Sequence, residues 1–303
     1  MRVSIIGQAA FGEAVLKRFQ ADGVEIAGVS APPPAEGGRP DPLWTAASQS
    51  GLPLVPTAAL KDDLSAWRAI GADLSAMAFV TDILPDEVFS VPGLGTIQYH
   101  PSLLPLHRGS SAVNWPIIFG EIETGLSVFW PDKGIDTGPI LLQKRCDIGP
   151  EETMGTLYFD KLFPMGVAAM AEAVALVAGG TAPRTPQEHA LATYEPPCRD
   201  VHAEIRWHEP AGRVHALIRG CNPAPGAWTR FGDDRLRIFD CARLEERRSG
   251  MPGRVVGVDG EGFDIRLNGG TLRVLRVQPE GGKKVAAGEW AQSAGLNEGF
   301  RFR

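Results

Sequence analysis

The stretch VSIIGQAAFG, residues 3–12, decides the expected fold of the chain. Its apolar start predicts a short buried strand at residues 3–6, and the glycines that follow favour a tight turn into a helix over about residues 12–21. Residues 24–29 predict a second buried strand directly afterwards. A buried strand, a helix and another buried strand in this order are typical of a parallel sheet with covering helices.

The same alternation continues outward from this stretch. The further predicted elements are helices near residues 43–49 and 60–70, strands at 52–55 and 74–80, and a helix at 165–177. We therefore expect an α/β fold, with a Rossmann-like, mostly parallel sheet and helices on both of its faces. The early glycines are spaced G-x-x-x-x-G rather than G-x-G-x-x-G, and no Gly-Lys-Ser/Thr follows them. A strand-to-helix turn is therefore favoured over nucleotide binding.

The length of 303 residues suggests about two domains. We place the first at residues 1–203, and its Pro-rich, aperiodic end at about 181–203 is predicted to be a linker. The second domain is predicted at residues 204–303. Short alternating runs at 236–239 and 271–277, separated by Gly-rich turns, favour a small antiparallel, OB-like β-barrel there.

The composition is that of an ordinary globular protein, with 44% hydrophobic and 22% charged residues. The net charge of −6 supplies no general electrostatic reason to bind nucleic acid or an anionic membrane. The longest apolar stretch, residues 167–178, contains Glu172 and is too short to span a bilayer, and the N-terminal apolar run is too short for a signal peptide. We therefore expect a soluble, cytoplasmic protein.

Four cysteines are present, at Cys146, Cys198, Cys221 and Cys241. They form no C-x-x-C pair, and no histidine cluster has the spacing of a zinc site. We predict four free thiols and no metal centre.

Two segments carry the candidate chemistry. The first, QYHPSLLP at residues 98–105, holds His100, and the second, DKGIDTG at 132–138, holds Asp136. Proline and glycine place both residues where a chain usually turns, and both segments, like residues 81–85, follow apolar strand-like runs. Because the strands of a parallel sheet end at one edge, these segments are expected to converge on one cleft. From spacing alone, an acid/base pair and two unrelated structural residues remain equally open interpretations.

A set of short motifs extends over nearly the whole chain: Ile6-Gly7-Gln8, Phe11-Gly12, Asp41-Pro42-Leu43, His100-Pro101-Ser102-Leu103-Leu104-Pro105, His107-Arg108-Gly109, Asn114-Trp115, Phe129-Trp130, Gly134-Ile135-Asp136-Thr137-Gly138, Leu141-Leu142-Gln143-Lys144, Trp207, Asn222-Pro223 and Pro225-Gly226-Ala227-Trp228. Together they resemble the folate-dependent formyltransferase family, specifically in the first domain and more loosely after about residue 204. The likeness is greatest to the N-terminal hydrolase domain of 10-formyltetrahydrofolate dehydrogenase. The methionyl-tRNA, glycinamide ribonucleotide and sugar-nucleotide formyltransferases are similar as well.

The resemblance implies a role for each candidate residue. The catalytic His of the family falls on His100, and its catalytic Asp, which also contacts the folate, falls on Asp136. The folate-binding loop of the family, whose backbone groups would meet the pteridine, falls on Thr81, Asp82, Ile83 and Leu84. Transferases of the family usually place an oxyanion-binding Asn two residues before the His. This chain has Gln98 there, with the same amide on a stem one methylene longer.

The resemblance implies formyl release from 10-formyltetrahydrofolate to water, which yields tetrahydrofolate and formate without a metal or a nucleotide. Formyl transfer to an amine is the first alternative. An amino-sugar nucleotide is a better acceptor candidate than methionyl-tRNA, because the loop at residues 31–40 carries only Arg39 where an RNA-binding loop would be strongly basic. A folate-binding protein without catalysis is the second alternative, which only Gln98 favours.

Overall fold

The computed structural model describes residues 1–244 and 250–302, and within them the chain forms fifteen strands and nine α-helices. The strands are β1 (Arg2–Gly7), β2 (Glu25–Ala31), β3 (Leu54–Pro56), β4 (Leu74–Ala78), β5 (Thr96–His100), β6 (Glu123–Phe129), β7 (Ile140–Asp147), β8 (Ala227–Phe231), β9 (Asp234–Ile238), β10 (Cys241–Leu244), β11 (Val255–Val258), β12 (Phe263–Leu267), β13 (Gly270–Val274), β14 (Arg276–Pro279) and β15 (Val285–Ala286). The helices are α1 (Ala9–Ala21), α2 (Pro42–Gln49), α3 (Ser65–Ala69), α4 (Asp86–Phe89), α5 (Asn114–Phe119), α6 (Met154–Thr156), α7 (Phe163–Ala178), α8 (Ala211–Gly220) and α9 (Ala287–Ala294).

The chain divides into two compact units that are discontinuous in sequence. The first unit consists of Met1–Ala112, Gly125–Cys146 and Phe159–Glu195, and the second of Val113–Thr124, Asp147–Tyr158 and the chain from Pro196 onward. The division into domains at residues 1–203 and 204–303, with its linker at about 181–203, stays a prediction. Part of the predicted second domain, residues 245–249 and the last residue, lies outside the described residues.

The first unit is built on a sheet with the strand order β3-β2-β1-β4-β5-β6-β7. Neighbouring strands from β3 through β5 are parallel, and β6 runs antiparallel to β5. The α/β fold with a mostly parallel sheet is therefore confirmed. From β1 the chain adds β2 and then β3 on one side of the sheet, and it then adds β4 and β5 on the other side of β1. The point between β1 and β4 is thus the topological switch, beside which open α/β sheets usually bind ligands.

Both faces of this sheet are covered, as the sequence predicts. On β1 the side chain of Ile5 joins the core formed with α1, α2 and α7, and Ile6 joins the core on the opposite face with Trp67 of α3. This follows from the strand geometry, because successive side chains point to opposite faces. Helix α1 buries its apolar stripe on the first of these faces through Phe11, Val15, Leu16 and Phe19.

Asp41 fixes the start of two helices close to the carboxyl end of β1. Its Oδ1 accepts the backbone N–H groups of Leu43 at 2.9 Å and Trp44 at 3.2 Å, which caps α2. Its Oδ2 accepts the N–H of Ala9, the first residue of α1, at 2.7 Å. A cap of this kind contributes about 1 kcal/mol to stability. The direct turn from strand to helix that the glycine spacing favours is therefore held in place by one carboxylate.

Two predicted elements of the first unit are wrong in detail. The single helix expected at 60–70 is a 3₁₀ turn, Thr57–Lys61, followed by the separate helix α3. Asp63 separates them, because its carboxylate accepts both the N–H and the hydroxyl of Ser65 at 2.8 Å and so starts a new helix. The strand expected at 74–80 ends at Ala78, because the next residue, Phe79, takes a left-handed φ of 60°.

The second unit contains two four-stranded antiparallel sheets in the described residues, with the orders β10-β13-β12-β11 and β15-β14-β9-β8. They share one core, to which Ile238, Phe263 and Leu272 contribute. The predicted antiparallel β domain is confirmed, and the arrangement is consistent with an OB-like barrel. The single strand expected at 271–277 is two strands, β13 and β14, because the chain breaks at Leu275, whose N–H binds the carbonyl oxygen of Asp240 at 2.8 Å.

A continuous helical run, Met154–Ala178, is long and apolar enough to cross a membrane by length and composition alone. It is longer than the apolar stretch at residues 167–178, which is by itself too short to span a bilayer. Core helices of globular proteins have the same composition, and Ala169, Met170 and Ala173 of this run are buried in the core of the first unit. The cytoplasmic location stays a prediction. None of the four cysteines forms a disulfide bond in the structure, and Cys198 Sγ lies 4.0 Å from Cys221 Sγ.

Candidate active site

His100 is the last residue of β5, and the structure brings its side chain to Asp136. The distance from His100 Nδ1 to Asp136 Oδ2 is 3.6 Å, and only 5% and 8% of the two residues is exposed. Tyr99 points to the other face of the sheet, where it stacks on Phe11 with 4.4 Å between ring centroids. The pair therefore lies on the face opposite to α1. Asp136 lies in a turn, as expected, whereas His100 belongs to a strand, and both residues are packed rather than exposed.

The convergence of parallel strands at one edge of the sheet does not explain why Asp136 lies beside His100. Strand β6 is antiparallel to β5, and it pairs Gln98 with Phe129 and His100 with Ser127. The loop that leaves β6 therefore starts beside Gln98 rather than beside the carboxyl end of β5. The segments at His100 and Asp136 do meet, but only because this loop folds back over the sheet.

One ring nitrogen of His100 is bound to the backbone. Nε2 lies 2.9 Å from the carbonyl oxygen of His107. Because a carbonyl oxygen can only accept, Nε2 carries a hydrogen and donates it. Nδ1 is then the nitrogen that faces Asp136, and it holds a hydrogen only when the ring is cationic. This arrangement suits His100 to gain and lose a proton at Nδ1 next to a carboxylate.

The Asp136 carboxylate is oriented by a backbone amide. Its Oδ2 accepts the N–H of Gly109 at 2.8 Å. A hydrogen bond to an ionised acceptor is about twice as strong as one between neutral groups. The carboxylate is therefore held between the Gly109 amide and His100.

Left-handed backbone is concentrated around this site. The four non-glycine residues of the described chain with positive φ are Ala9, Phe79, His107 and Asp136, with values of 57°, 60°, 53° and 55°. Such a conformation costs about 1–2 kcal/mol for a residue other than glycine. Ala9 and Phe79 follow β1 and β4 at the switch point, and the other two residues contact His100. Backbone strain that is concentrated in this way is typical of functional sites.

The predicted folate loop, Thr81, Asp82, Ile83 and Leu84, follows β4 at the switch point. Thr81 Oγ1 accepts a hydrogen bond from Gln8 Nε2 at 3.2 Å, which links the ends of β4 and β1. Asp82 forms an ion pair with Lys61 at 2.8 Å, and Ile83 is 80% exposed while Leu84 is buried. The loop is thus placed where open α/β sheets bind ligands, and its side-chain contacts run to Gln8 and Lys61 rather than to His100.

Gln98 lies two residues before His100 on β5 and is half-buried. Side chains two apart on a strand leave the same face of the sheet, about 7 Å from each other. Gln98 therefore lies on the same face as His100, beside the start of the Asp136 loop.

The site contains buried side chains that the sequence did not single out. The guanidinium group of Arg108, which is 3% exposed, donates from Nη2 and Nε to Gln187 Oε1 at 2.6 and 3.2 Å and from Nη1 to the hydroxyl of Tyr194 at 3.0 Å. His107 Nδ1 lies 3.2 Å from Glu195 Oε2. Arg108 and His107 stand in a motif that carries the resemblance. Gln187, Tyr194 and Glu195 lie in the segment that its proline content marks as a linker, and no sequence signal distinguishes them.

Within residues 1–244 and 250–302, no group of three or more His, Cys, Asp or Glu side chains is arranged to hold a metal ion.

Comparison with known proteins identifies the family. The formyl transferase profile matches residues 1–174, and the profile of the formyl transferase C-terminal domain matches residues 199–295. The chain is 38% identical over 305 residues to mitochondrial 10-formyltetrahydrofolate dehydrogenase of Homo sapiens, an alignment that covers 96% of this chain and 33% of that protein. It is 34% identical over 307 residues to methionyl-tRNA formyltransferase of Syntrophus aciditrophicus (strain SB), with 98% of each chain covered.

A solved structure agrees with the fold. The N-formyltransferase from Helicobacter canadensis, in complex with folinic acid and dTDP-3-aminofucose, superposes with a TM-score of 0.70 at 17% identity and covers 90% of this chain and 98% of its own. The chain spans about one third of the length of the dehydrogenases that it matches. The two profile matches and the full-length relative show that the chain belongs to the formyl transferase family, whose members are enzymes of folate-dependent formyl transfer or hydrolysis.

Proposed function

We propose that this chain releases the formyl group of 10-formyltetrahydrofolate to water and forms tetrahydrofolate and formate. The observation that carries the proposal is the buried approach of His100 Nδ1 to Asp136 Oδ2 at 3.6 Å. The likeness to 10-formyltetrahydrofolate dehydrogenase over 96% of this chain supports it. Because the chain spans only a third of that relative, the proposal concerns formyl release alone.

In the proposed reaction a water oxygen attacks the formyl carbon, and the carbonyl oxygen becomes an oxyanion. Asp136 accepts one proton of the water through Oδ1, since its Oδ2 is bound by the Gly109 amide. His100 in its cationic form donates from Nδ1 to the oxyanion, because its Nε2 is engaged by the carbonyl oxygen of His107. The bond from the formyl carbon to N10 then breaks. The proton held by Asp136 passes to N10, and formic acid leaves and ionises.

The folate is proposed to bind at the switch point of the sheet. The loop at Thr81, Asp82, Ile83 and Leu84 would contact the pteridine through its backbone groups, as the family resemblance implies. The position beyond the carboxyl ends of β4 and β1 supports this assignment. Asp136 would contact the same ligand at its formyl group.

Gln98 is proposed to donate from its amide to the oxyanion, so Gln98→Ala is expected to lower kcat by about 10²–10³-fold. Gln98→Glu should lose as much, because an ionised carboxylate cannot donate a hydrogen bond. Gln98→Asn should retain part of the activity, because it restores the amide on a shorter stem. Steady-state formation of tetrahydrofolate measures all three variants. Wild-type kcat in both Gln98→Ala and Gln98→Glu would exclude Gln98 from the oxyanion site.

Formyl transfer to an amine is the second candidate function, and the match to methionyl-tRNA formyltransferase over 98% of both chains favours it. An RNA acceptor is disfavoured by the exposed loop at residues 33–40, whose charged residues are Glu36 and Arg39. An amino-sugar nucleotide, the kind of ligand seen in the Helicobacter canadensis structure, is the better candidate among amines.

The test is turnover of 10-formyltetrahydrofolate in parallel reactions that contain no amine, an amino-sugar nucleotide or methionyl-tRNA. Mass spectrometry detects any formylated amine, and separate assays quantify formate and tetrahydrofolate. Hydrolysis predicts equal rates and one formate per tetrahydrofolate in every reaction. Tetrahydrofolate formation that depends on one amine, together with formylation of that amine, would establish transfer instead. Tight folate binding without any turnover would identify a non-catalytic binder.

A further inference from the structure

We propose that Gln187 is a positioning residue that sets the backbone of Asp136 and so aims its carboxylate. The inference rests on the proposed function, since it assigns Gln187 a part in the same reaction. Gln187 Nε2 donates to the carbonyl oxygen of Asp136 at 2.9 Å and to that of Gly138 at 2.7 Å. These two carbonyls lie on either side of Thr137, so one amide group spans the last turn of the loop.

The orientation of the Gln187 amide is dictated by its partners. Its Oε1 accepts from Nη2 and Nε of Arg108, which can only donate. Its Nε2 faces two backbone carbonyls, which can only accept. If the amide were flipped, its NH₂ group would face the N–H donors of Arg108 and its oxygen would face the two carbonyl oxygens. Since 6% of Gln187 and 3% of Arg108 is exposed, water cannot substitute easily for either set of bonds.

The guanidinium group of Arg108 also holds the loop through Tyr194. The hydroxyl of Tyr194 accepts from Arg108 Nη1 at 3.0 Å and donates to the carbonyl oxygen of Ile135 at 3.3 Å. Three carbonyls of the loop, at residues 135, 136 and 138, are therefore held through side chains that converge on Arg108. The next residue, Gly109, donates its amide to Asp136 Oδ2 at 2.8 Å.

This network explains how Asp136 keeps a left-handed backbone. Its φ of 55° is a conformation that persists only where the surroundings determine it strongly. Gln187 binds the carbonyl of the strained residue itself, and Gly109 binds its carboxylate. Loss of the Gln187 contacts frees the carbonyl, and we expect the carboxylate to move away from the Gly109 amide and from His100.

The test is Gln187→Glu, which keeps an acceptor for Arg108 but places an acceptor against the two loop carbonyls. A shift of about 1 Å in a catalytic group costs on the order of 10²-fold in rate, so kcat should fall by about that factor while KM for 10-formyltetrahydrofolate is unchanged. In the Asp136→Ala background the same substitution should cause no further loss, because Gln187 acts through Asp136. The matched control is Gln278→Glu, since Gln278 in β14 donates to the carbonyl oxygen of Gly282 at 2.9 Å and lies in the other unit.

A readout independent of turnover is the Gly109 amide, observed by NMR. In Gln187→Glu its proton should shift and exchange with solvent faster than in the wild type, because its acceptor has moved. Tyr194→Phe should produce a smaller effect in the same direction. Tyr194 is 56% exposed, so this variant tests the network even if Gln187→Glu does not fold.

The outcomes separate the two proposals. An inactive wild type with a displaced Gly109 signal in the variants would reject the proposed function and keep the positioning role. An active wild type with an unchanged Gly109 signal and unchanged kcat in the folded variants would reject the positioning role. If Gln187→Glu does not fold and Tyr194→Phe leaves Gly109 and kcat unchanged, the positioning role is rejected as well.

Discussion

We expect Asp136→Asn to turn over 10-formyltetrahydrofolate more slowly than the wild type by about 10²–10⁴-fold. The substitution keeps the size of the side chain, the tolerance of left-handed backbone and an oxygen that can accept the Gly109 N–H. It removes the charge that faces His100 and that we propose takes the proton of the attacking water. The predicted loss is therefore in kcat, while binding of folinic acid, followed by quenching of intrinsic fluorescence, changes little.

Lys133→Ala is the control for this prediction, because Lys133 lies exposed in the same loop and has no part in the proposed chemistry. It should keep wild-type kcat. If Asp136→Asn retains more than about a tenth of wild-type turnover, a general-base role for Asp136 is excluded, because such a role contributes at least about 10²-fold.

His100→Ala is expected to lower kcat by about 10²–10³-fold, because it removes the donor that we assign to the oxyanion. His100→Gln should recover little, since one amide cannot both donate to the carbonyl oxygen of His107 and supply a cation beside Asp136. Folinic acid binding should persist in both variants, because the proposed folate loop is a separate segment.

The matched control for His100 is His208→Ala, since the His208 side chain is 77% exposed in the second unit. Thermal denaturation of each variant separates loss of chemistry from loss of fold. A folded His100→Ala protein with wild-type kcat would contradict the assignment of the oxyanion donor.

The fold could be predicted because its core strands are short apolar runs bounded by turn residues. Val3, Ile5 and Ile6 are buried on two faces of one sheet, and strands buried on both faces are nearly continuously apolar. The direction of β6 could not be predicted, since an apolar run has the same composition in either orientation. The break at Leu275 could not be predicted either. Its N–H binds the carbonyl oxygen of Asp240, which lies far away in sequence, in the connection between β9 and β10.

The site could be predicted only in part. Glycines around Asp136 indicate a turn, but its burial depends on Gly109 and Gln187, which are 27 and 51 residues away. Gln187 lies among prolines and polar residues and resembles any exposed loop residue. Its burial is stabilised by Arg108, at a separation of 79 residues. Buried polar groups require partners, and such partners are set by the tertiary structure rather than by local pattern.

The most direct test of hydrolysis is turnover of 10-formyltetrahydrofolate in water enriched in ¹⁸O, with mass spectrometry of the formate produced. The new C–O bond of the proposed reaction forms with water, so each formate molecule should carry one oxygen from the solvent, without any added amine. The His100→Ala and Asp136→Asn variants should produce labelled formate at rates lowered by about 10²–10³-fold and 10²–10⁴-fold, respectively. Tetrahydrofolate released without labelled formate, or only in the presence of an amine that becomes formylated, would contradict the account.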